Sequence, residues 1–125
     1  MVNCVKNEFS LADHIIECLK TKEVFNNFSI HFVSGKNQRP AREKLILVNT
    51  LFAMQDHDTK EIEGYININI QDSDTIWIEY VGELIQLYID QSIIFGFKLD
   101  FTTEHLFKVS ENLFFKNLKF HFSSL

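Results

Sequence analysis

The sequence predicts an α+β domain with one antiparallel, meander-rich sheet of about six or seven strands and two helices packed on one of its faces. Three observations support this fold class. Apolar and polar residues alternate along several segments, which is typical of half-buried strands. Residues that cap helices precede amphipathic stretches near both ends of the chain. No repeat and no Pro/Gly/Ser-rich linker divides residues 1–125, so we expect a single globular domain.

The first predicted element is a helix near the N-terminus. Ser10 and Asp13 have the spacing of a capping box, with Asp in the position of the usual Glu. Apolar residues then recur on one broad face as far as about Lys22, at Leu11, Ala12, Ile15, Ile16 and Leu19. This face predicts packing across a sheet.

Three strands are predicted next, joined by two polar loops. Alternation at Phe28, Ile30 and Phe32 indicates a half-buried strand. After the loop SGKNQRPARE, the apolar run KLILVNTLFAM suits a central strand, and QDHDTKE forms the second loop. In YININI the isoleucines face one way, and Tyr65, Asn67 and Asn69 face the other.

The segment QDSD raises the question of whether Asp72 and Asp74 form a chemical site or a turn. Alternation stops at this segment and resumes directly after it, and Asp and Ser favour turns, so we expect a tight connection. In TIWIEY the isoleucines would then face the core, and Trp77 and Glu79 would project outward beside Tyr65. The competing interpretation is that both sheet faces are covered and that Trp77 belongs to the core.

The residues after Val81 permit two interpretations. Gly82 and Glu83 fit a two-residue hairpin turn, with ELIQLYID as the next strand, and we favour this interpretation. Apolar residues at Val81, Leu84, Ile85, Tyr88 and Ile89 also match helical spacing, so a helix over residues 81–92 stays open.

The C-terminal part is expected to contain a strand, the second helix and a last strand. IIFGFKLDF is typical of a strand. FTTEHLFKVSENLFF begins with threonine and an early Glu104, and it places Leu106, Phe107, Leu113 and Phe114 at helical spacing. LKFHFSS returns to alternation, which predicts the final strand.

The acidic residues are concentrated in the middle of a chain whose net charge is −5. Residues 56–90 hold nine acidic residues against one base, Lys60, so this segment carries a charge of −8. Such asymmetry concerns association partners rather than fold. It disfavours nucleic acid, whose phosphates require basic residues, and it favours a cationic partner.

No sequence motif indicates catalysis, so we expect no enzyme, no cofactor and no metal site. Nucleotide-binding loops, the nucleophile elbow G-x-S-x-G and the zinc motif H-E-x-x-H are all absent. His57, between Asp56 and Asp58, is a candidate for metal or acid–base chemistry, but a solvated turn is the favoured interpretation. The basic residues of SGKNQRPARE likewise indicate a solvated loop rather than a phosphate site.

Composition favours a cytoplasmic location. No apolar run approaches the roughly 20 residues needed to span a bilayer, and the N-terminal residues lack the apolar centre of a signal peptide. Cys4 and Cys18 have no C-x-x-C spacing, and we expect free thiols.

After these exclusions, the functional hypothesis that remains is a protein-binding surface. Exposed aromatic residues among polar groups are typical of binding hot spots, and surrounding acids would steer a basic partner. We expect the partner-binding residues to be Glu61, Glu63, Tyr65, Asn67, Asn69, Asp72, Asp74, Trp77, Glu79 and Glu83.

In size, charge and composition, though in no motif, the chain resembles the immunity proteins of bacterial toxin systems. This resemblance implies an acidic inhibitor that neutralises a cognate, basic, nuclease-like toxin by occluding its active cleft. Two alternatives stay open, namely a secretion or assembly chaperone that holds an unfolded client segment, and a small ligand-binding domain. The sequence does not distinguish a monomer from a homodimer.

Overall fold

The computed structural model describes residues 8–35 and 43–125, and these residues form an α+β fold. The helices are α1 (Glu8–Lys20), α2 (Glu23–Asn26) and α3 (Thr75–Ile89). The strands are β1 (His31–Ser34), β2 (Leu45–Gln55), β3 (Ile62–Asp72), β4 (Ile93–Ile94), β5 (Phe97–Ser110) and β6 (Leu113–Ser124). The α+β class predicted from the sequence is therefore confirmed.

The six strands form one curled sheet in the order β1-β2-β3-β6-β5-β4. Four neighbouring pairs are antiparallel, but β1 pairs with β2 in parallel, with His31 beside Leu45. The prediction of a purely antiparallel sheet is therefore wrong at one edge. Alternation of side chains identifies a strand and its faces, but it carries no information about the direction of the neighbouring strand.

Helices α1 and α3 cover one face of the sheet, which we call the helix face. Ile66, Ile68 and Ile70 of β3 are fully buried there, as the alternation in YININI predicts. The apolar face predicted for α1 is buried too, although the helix begins at Glu8, two residues before the expected cap at Ser10. The remaining core is supplied mainly by α3 and by Ile46, Val48, Phe97, Leu99, Leu118, Phe120 and Phe122.

Residues 75–89 form the helix α3 where the sequence favoured two strands and a hairpin. Asp74 is its N-cap, because its carboxylate accepts hydrogen bonds from the backbone N–H groups of Ile76 at 2.9 Å and Trp77 at 3.3 Å. The buried side of the helix carries Trp77, Ile78, Val81, Gly82, Ile85 and Ile89. Packing of this helical face overrides the strand preference of the individual Ile, Val, Trp and Tyr residues.

Gly82 is therefore a packing residue rather than part of a hairpin turn. A Cβ atom at this position would lie 3.3 Å from Cδ of Lys116 and 3.5 Å from Cδ1 of Ile70. The missing side chain lets the Lys116 stem cross the helix surface at close range.

The helix predicted over residues 101–115 is also wrong, because this segment is the β5–β6 hairpin. β5 continues to Ser110 and β6 starts at Leu113, so the chain reverses at Glu111 and Asn112. The apolar residues of FTTEHLFKVSENLFF fit a helical face only in part. Their cross-strand pairing with the apolar end of β6 is a nonlocal interaction that helical spacing does not reveal.

Several local predictions hold. QDHDTKE connects β2 to β3, and QDSD is a connection, although it leads into α3 rather than into a strand. Cys18 is a half-buried free thiol. Cys4 and most of the predicted basic loop, residues 36–42, lie outside the described residues. No helix in the described part of the chain is long and apolar enough to cross a membrane.

Candidate protein-binding site

The sheet separates the side chains that the sequence placed on one surface. Tyr65 and Asn67 share the face opposite the helices, which we call the second face. Trp77 and Glu79 lie on α3, which packs against the helix face. A single surface combining these residues does not exist, because the sheet stands between them.

Trp77 belongs to the core. Its side chain is only 7% exposed, and the ring of Phe28 meets it edge-on with the ring centroids 5.6 Å apart. The ammonium group of Lys44 lies 4.5 Å from the Trp77 ring centroid, which is cation–π geometry. Truncation of Trp77 would therefore test folding before it tested partner binding.

Asp72 is a buried structural acid. Its side chain is 1% exposed and accepts hydrogen bonds from the backbone N–H groups of Lys44 at 3.1 Å and Asp74 at 3.2 Å. The ammonium group of Lys44 lies 3.5 Å from the second carboxylate oxygen. Asp72 thus joins the start of β2 to the end of β3 and has no surface left for a partner.

Glu79 is also engaged within the molecule. Lys116 is 7% exposed, and its ammonium group forms ion pairs with Glu79 on α3 and Glu104 on β5. Burial alone lowers the pKa of Lys116, but hydrogen bonds and charge attraction from Glu104 and Glu79 outweigh it and raise the pKa above the ordinary 10.5. The cluster therefore fastens α3 to the sheet.

Amide side chains on the second face bond one another across three strands. Asn117 donates from Nδ2 to Oδ1 of Asn69 at 2.8 Å, and Asn69 donates from Nδ2 to Oδ1 of Asn49 at 3.3 Å. Asn69 is only 7% exposed. This row supports strand register, and its central member Asn69 is not available as a surface contact.

An acidic cleft lies at the opposite end of β3, beside the β2–β3 connection. Its volume is about 570 Å³, and it is lined by Met54, Gln55, Asp56, His57, Asp58, Glu61, Ile62, Glu63, Ser123 and Ser124. Four of these described lining residues carry carboxylates and none is Lys or Arg. The cleft therefore concentrates negative charge at a site that the structure leaves exposed.

The turn beside the cleft is organised by Asp56. One oxygen of its carboxylate accepts hydrogen bonds from the backbone N–H groups of Asp58 at 2.8 Å and Thr59 at 3.0 Å. The bond from Thr59, followed by that from Asp58, lowers the pKa of Asp56 below its ordinary value of 3.8. The turn closes at Lys60, whose φ of 65° is left-handed. Asp56 thus stays charged while it fixes the positions of the neighbouring acids.

Glu63 connects the cleft to the second face. Its Oε1 lies 2.9 Å from Nε2 of His121, whose ring packs edge-on against Tyr65. Glu63 nevertheless remains 63% exposed at its side chain. No group of three or more His, Cys, Asp or Glu side chains in the described ranges is arranged to hold a metal ion.

The exposed acids of the predicted partner surface lie in two separate places. Glu61 and Glu63 line the cleft, and Glu83 is exposed on α3 beside a separate shallow depression. Sequence reasoning considered Asp56, His57 and Asp58 for metal or acid–base chemistry and omitted them from the partner surface. The density of acids in QDHDTKEIE was the signal that could have included them.

No protein-family model matches the chain, and no curated protein matches it with significance.

Proposed function

We propose that this protein is an acidic inhibitor of a basic protein, and that it acts as an immunity protein that neutralises a cognate, nuclease-like bacterial toxin in the cytoplasm. The observation that carries the proposal is the cleft lined by Asp56, Asp58, Glu61 and Glu63. A lysine or arginine side chain of the partner is the chemical group that complements it.

The cleft supplies both parts of a site for a long basic side chain. Met54, whose side chain is 60% exposed, and Ile62 offer apolar surface for the aliphatic stem. The carboxylates beside them accept charge-assisted hydrogen bonds from an ammonium or guanidinium group. Concentrated charge at one exposed end of the molecule also steers a basic partner toward the cleft during encounter.

Inhibition follows from the chemistry of such a partner. A nuclease binds phosphates, so its active cleft is lined by Lys and Arg. An acidic surface that pairs with those residues blocks substrate entry without performing a reaction. The proposed function therefore needs no catalytic group, cofactor or metal on this chain.

The experiment is affinity capture from the native host with three tagged baits, followed by mass spectrometry. The first bait is the wild-type chain. The second carries Asp58→Asn, Glu61→Gln and Glu63→Gln, which remove three of the four carboxylates of the cleft but keep Asp56 and its turn. The control carries Glu17→Gln, Glu23→Gln and Glu43→Gln, which remove the same charge from exposed positions outside the cleft.

We expect the wild type and the control to retain one basic protein in stoichiometric amount, and the cleft variant to lose most of it. The retained protein should be toxic when produced alone and harmless when produced with this chain. Equal retention by the cleft variant would contradict the assignment of the site. A retained partner that is acidic or unfolded would contradict the inhibitor function and support the chaperone alternative.

A further inference from the structure

The outer part of the β5–β6 hairpin is exposed and carries apolar residues among polar ones. Every residue from Thr102 to Asn112 is exposed to solvent. Three of them are large apolar residues, with exposed fractions of 44% for Leu106, 47% for Phe107 and 41% for Val109. Soluble proteins rarely leave such a strand uncovered at the margin of a sheet.

Among the described residues, the hydrogen-bonding edge of β5 is covered only near its start. β4 pairs with Phe97 and Lys98, the chain at Gln91 and Ser92 bonds the backbone of Leu99, and the Asp90 carboxylate accepts from the N–H of Phe101. In the described part of the chain, no strand pairs with the outer edge of residues 103–110. Free N–H and C=O groups on such an edge are a template for strand addition.

We propose that this edge binds the same edge of a second copy of the chain, in antiparallel orientation, with the two-fold axis at Leu106. Leu106 then lies opposite Leu106 of the second copy. Glu104 lies opposite Lys108 of the second copy, and the symmetry repeats this ion pair on the other side of the axis. His105 and Phe107 of the two copies pair in the same way on the second face.

Charge complementarity selects this register. A shift of two residues in either direction places Glu104 opposite Leu106 or Ser110 of the second copy and removes both ion pairs. A shift of one residue is excluded, because it would place the side chains of paired residues on opposite faces. Glu104 also contacts Lys116 within its own chain, so the paired acid is already held at the edge on the helix face.

The regular geometry of β5 between Thr103 and Lys108 also favours this segment as the site of strand pairing. Pairing of β5 with β6 is regular from Thr103 to Lys108, and irregularities interrupt it on either side of this stretch. The five residues from Glu104 to Lys108, which carry the proposed contact, lie within the regular stretch. Bulges twist a strand and weaken edge pairing, so their absence here leaves this segment suited to strand addition.

The proposed interface goes beyond the inhibitory function and is compatible with it. The acidic cleft lies beside Ser123 and Ser124, next to the start of β5, whereas Leu106 and Lys108 lie toward its other end. A dimer of this kind leaves both clefts exposed.

Sedimentation equilibrium of the full chain over about 1–100 µM tests the dimer. Lys108→Glu places acids opposite each other at both symmetric positions, and we expect it to weaken dimerisation at least about tenfold. Lys20→Glu makes the same charge change on α1, outside the interface, and should leave the dimerisation constant within about twofold. Thermal melting of both variants separates loss of dimer from loss of fold.

Disulfide trapping tests the register independently. In a Cys4→Ser, Cys18→Ser background, Leu106→Cys brings two thiols together at the axis and should form a covalent dimer under mild oxidation. His105→Cys, whose thiol would face Phe107 of the second copy, should form it much more slowly. A chain that stays monomeric at about 100 µM overturns the proposal and leaves the edge to a strand of another protein. A dimer that is insensitive to Lys108→Glu and is not trapped through position 106 also overturns it.

Discussion

The acids of residues 56–63 and those of residues 72–90 contribute comparable negative charge in the sequence, but the structure uses them differently. The first group surrounds an exposed cleft. Most of the second group is bonded inside the molecule: Asp72 to backbone N–H groups, Asp74 to the start of α3, Glu79 to Lys116, and Asp90 to Phe101. A charge count along the chain therefore overstates the negative surface that is free to meet a partner.

The two groups of acids should differ most in how much they contribute to the free energy of unfolding. Asp72→Ala removes a buried carboxylate and leaves the partly buried N–H groups of Lys44 and Asp74 without their acceptor, and we expect it to lower the free energy of unfolding by about 2–4 kcal/mol. Asp58→Ala, at the exposed cleft, should change it by less than about 0.5 kcal/mol. Urea unfolding followed by circular dichroism measures both values. Similar losses for the two variants would show that the groups do not differ as described.

In the cluster of Lys116, Glu79 and Glu104, removal of the glutamate charges should cost more stability than removal of the lysine charge. Glu79→Gln combined with Glu104→Gln leaves a buried ammonium group without a counterion, and we expect a loss of about 1–3 kcal/mol. Lys116→Met keeps the stem volume and leaves two carboxylates that water can reach, so its cost should be below about 1 kcal/mol. Urea unfolding midpoints show which of the two variants is less stable. A larger loss for Lys116→Met would contradict this account.

The same cluster predicts a response to alkaline pH. Because the two glutamates raise the pKa of Lys116, the stability that they contribute is fully present below pH 10.5 and is lost as pH rises through the raised pKa. The glutamine pair should therefore lose less stability than the wild type over that range.

The cap of α3 should have a smaller effect. Asp74→Ala removes the acceptor for the N–H groups of Ile76 and Trp77, and we expect a loss of about 1 kcal/mol. Asp74→Ser retains an acceptor and should recover most of that loss. Equal melting temperatures for the alanine variant and the wild type would show that the cap contributes nothing.

The smallest expected effect is the pH dependence of the stability that Asp56 contributes. Its lowered pKa means that its charged form stabilises the turn above pH 3.8, and that this contribution is lost as pH falls through the lowered pKa. The stability difference between wild type and Asp56→Asn should therefore narrow below about pH 3.8. A difference that stays constant with pH would mean that the charge of Asp56 has no part in the turn.

Helices and strands whose apolar residues follow a single clear period could be predicted from the local sequence pattern. α1 and β3 follow because their apolar spacing fits only one structure. α3 was missed because its Ile, Val, Trp and Tyr residues favour strands individually, although Asp74 is a cap and the spacing from Ile78 through Val81, Ile85 and Ile89 is helical. The β5–β6 hairpin and the parallel β1 depend on pairing between distant residues, which a local pattern does not contain.

The candidate site depended on the sequence in a similar way. Glu61 and Glu63 were included in the predicted partner surface because charge is visible in the sequence, and the structure places both at the cleft. The burial of Asp72 and the engagement of Glu79 were not visible, because their partners Lys44 and Lys116 lie far away along the chain. Because α3 was predicted as a strand, the sequence analysis did not predict that Tyr65 and Trp77 lie on opposite sides of the sheet.

The most direct test of the central claim is the association rate of the captured partner at about 50 and 200 mM salt. The wild type, the cleft variant and the control with equal charge change would be compared in one series. We predict that the cleft variant associates at least about tenfold more slowly at low salt and with a weaker salt dependence, while the control stays within about twofold of wild type. Equal rates for the cleft variant and the control would contradict the claim that the acids lining the cleft at residues 56–63 bind the partner.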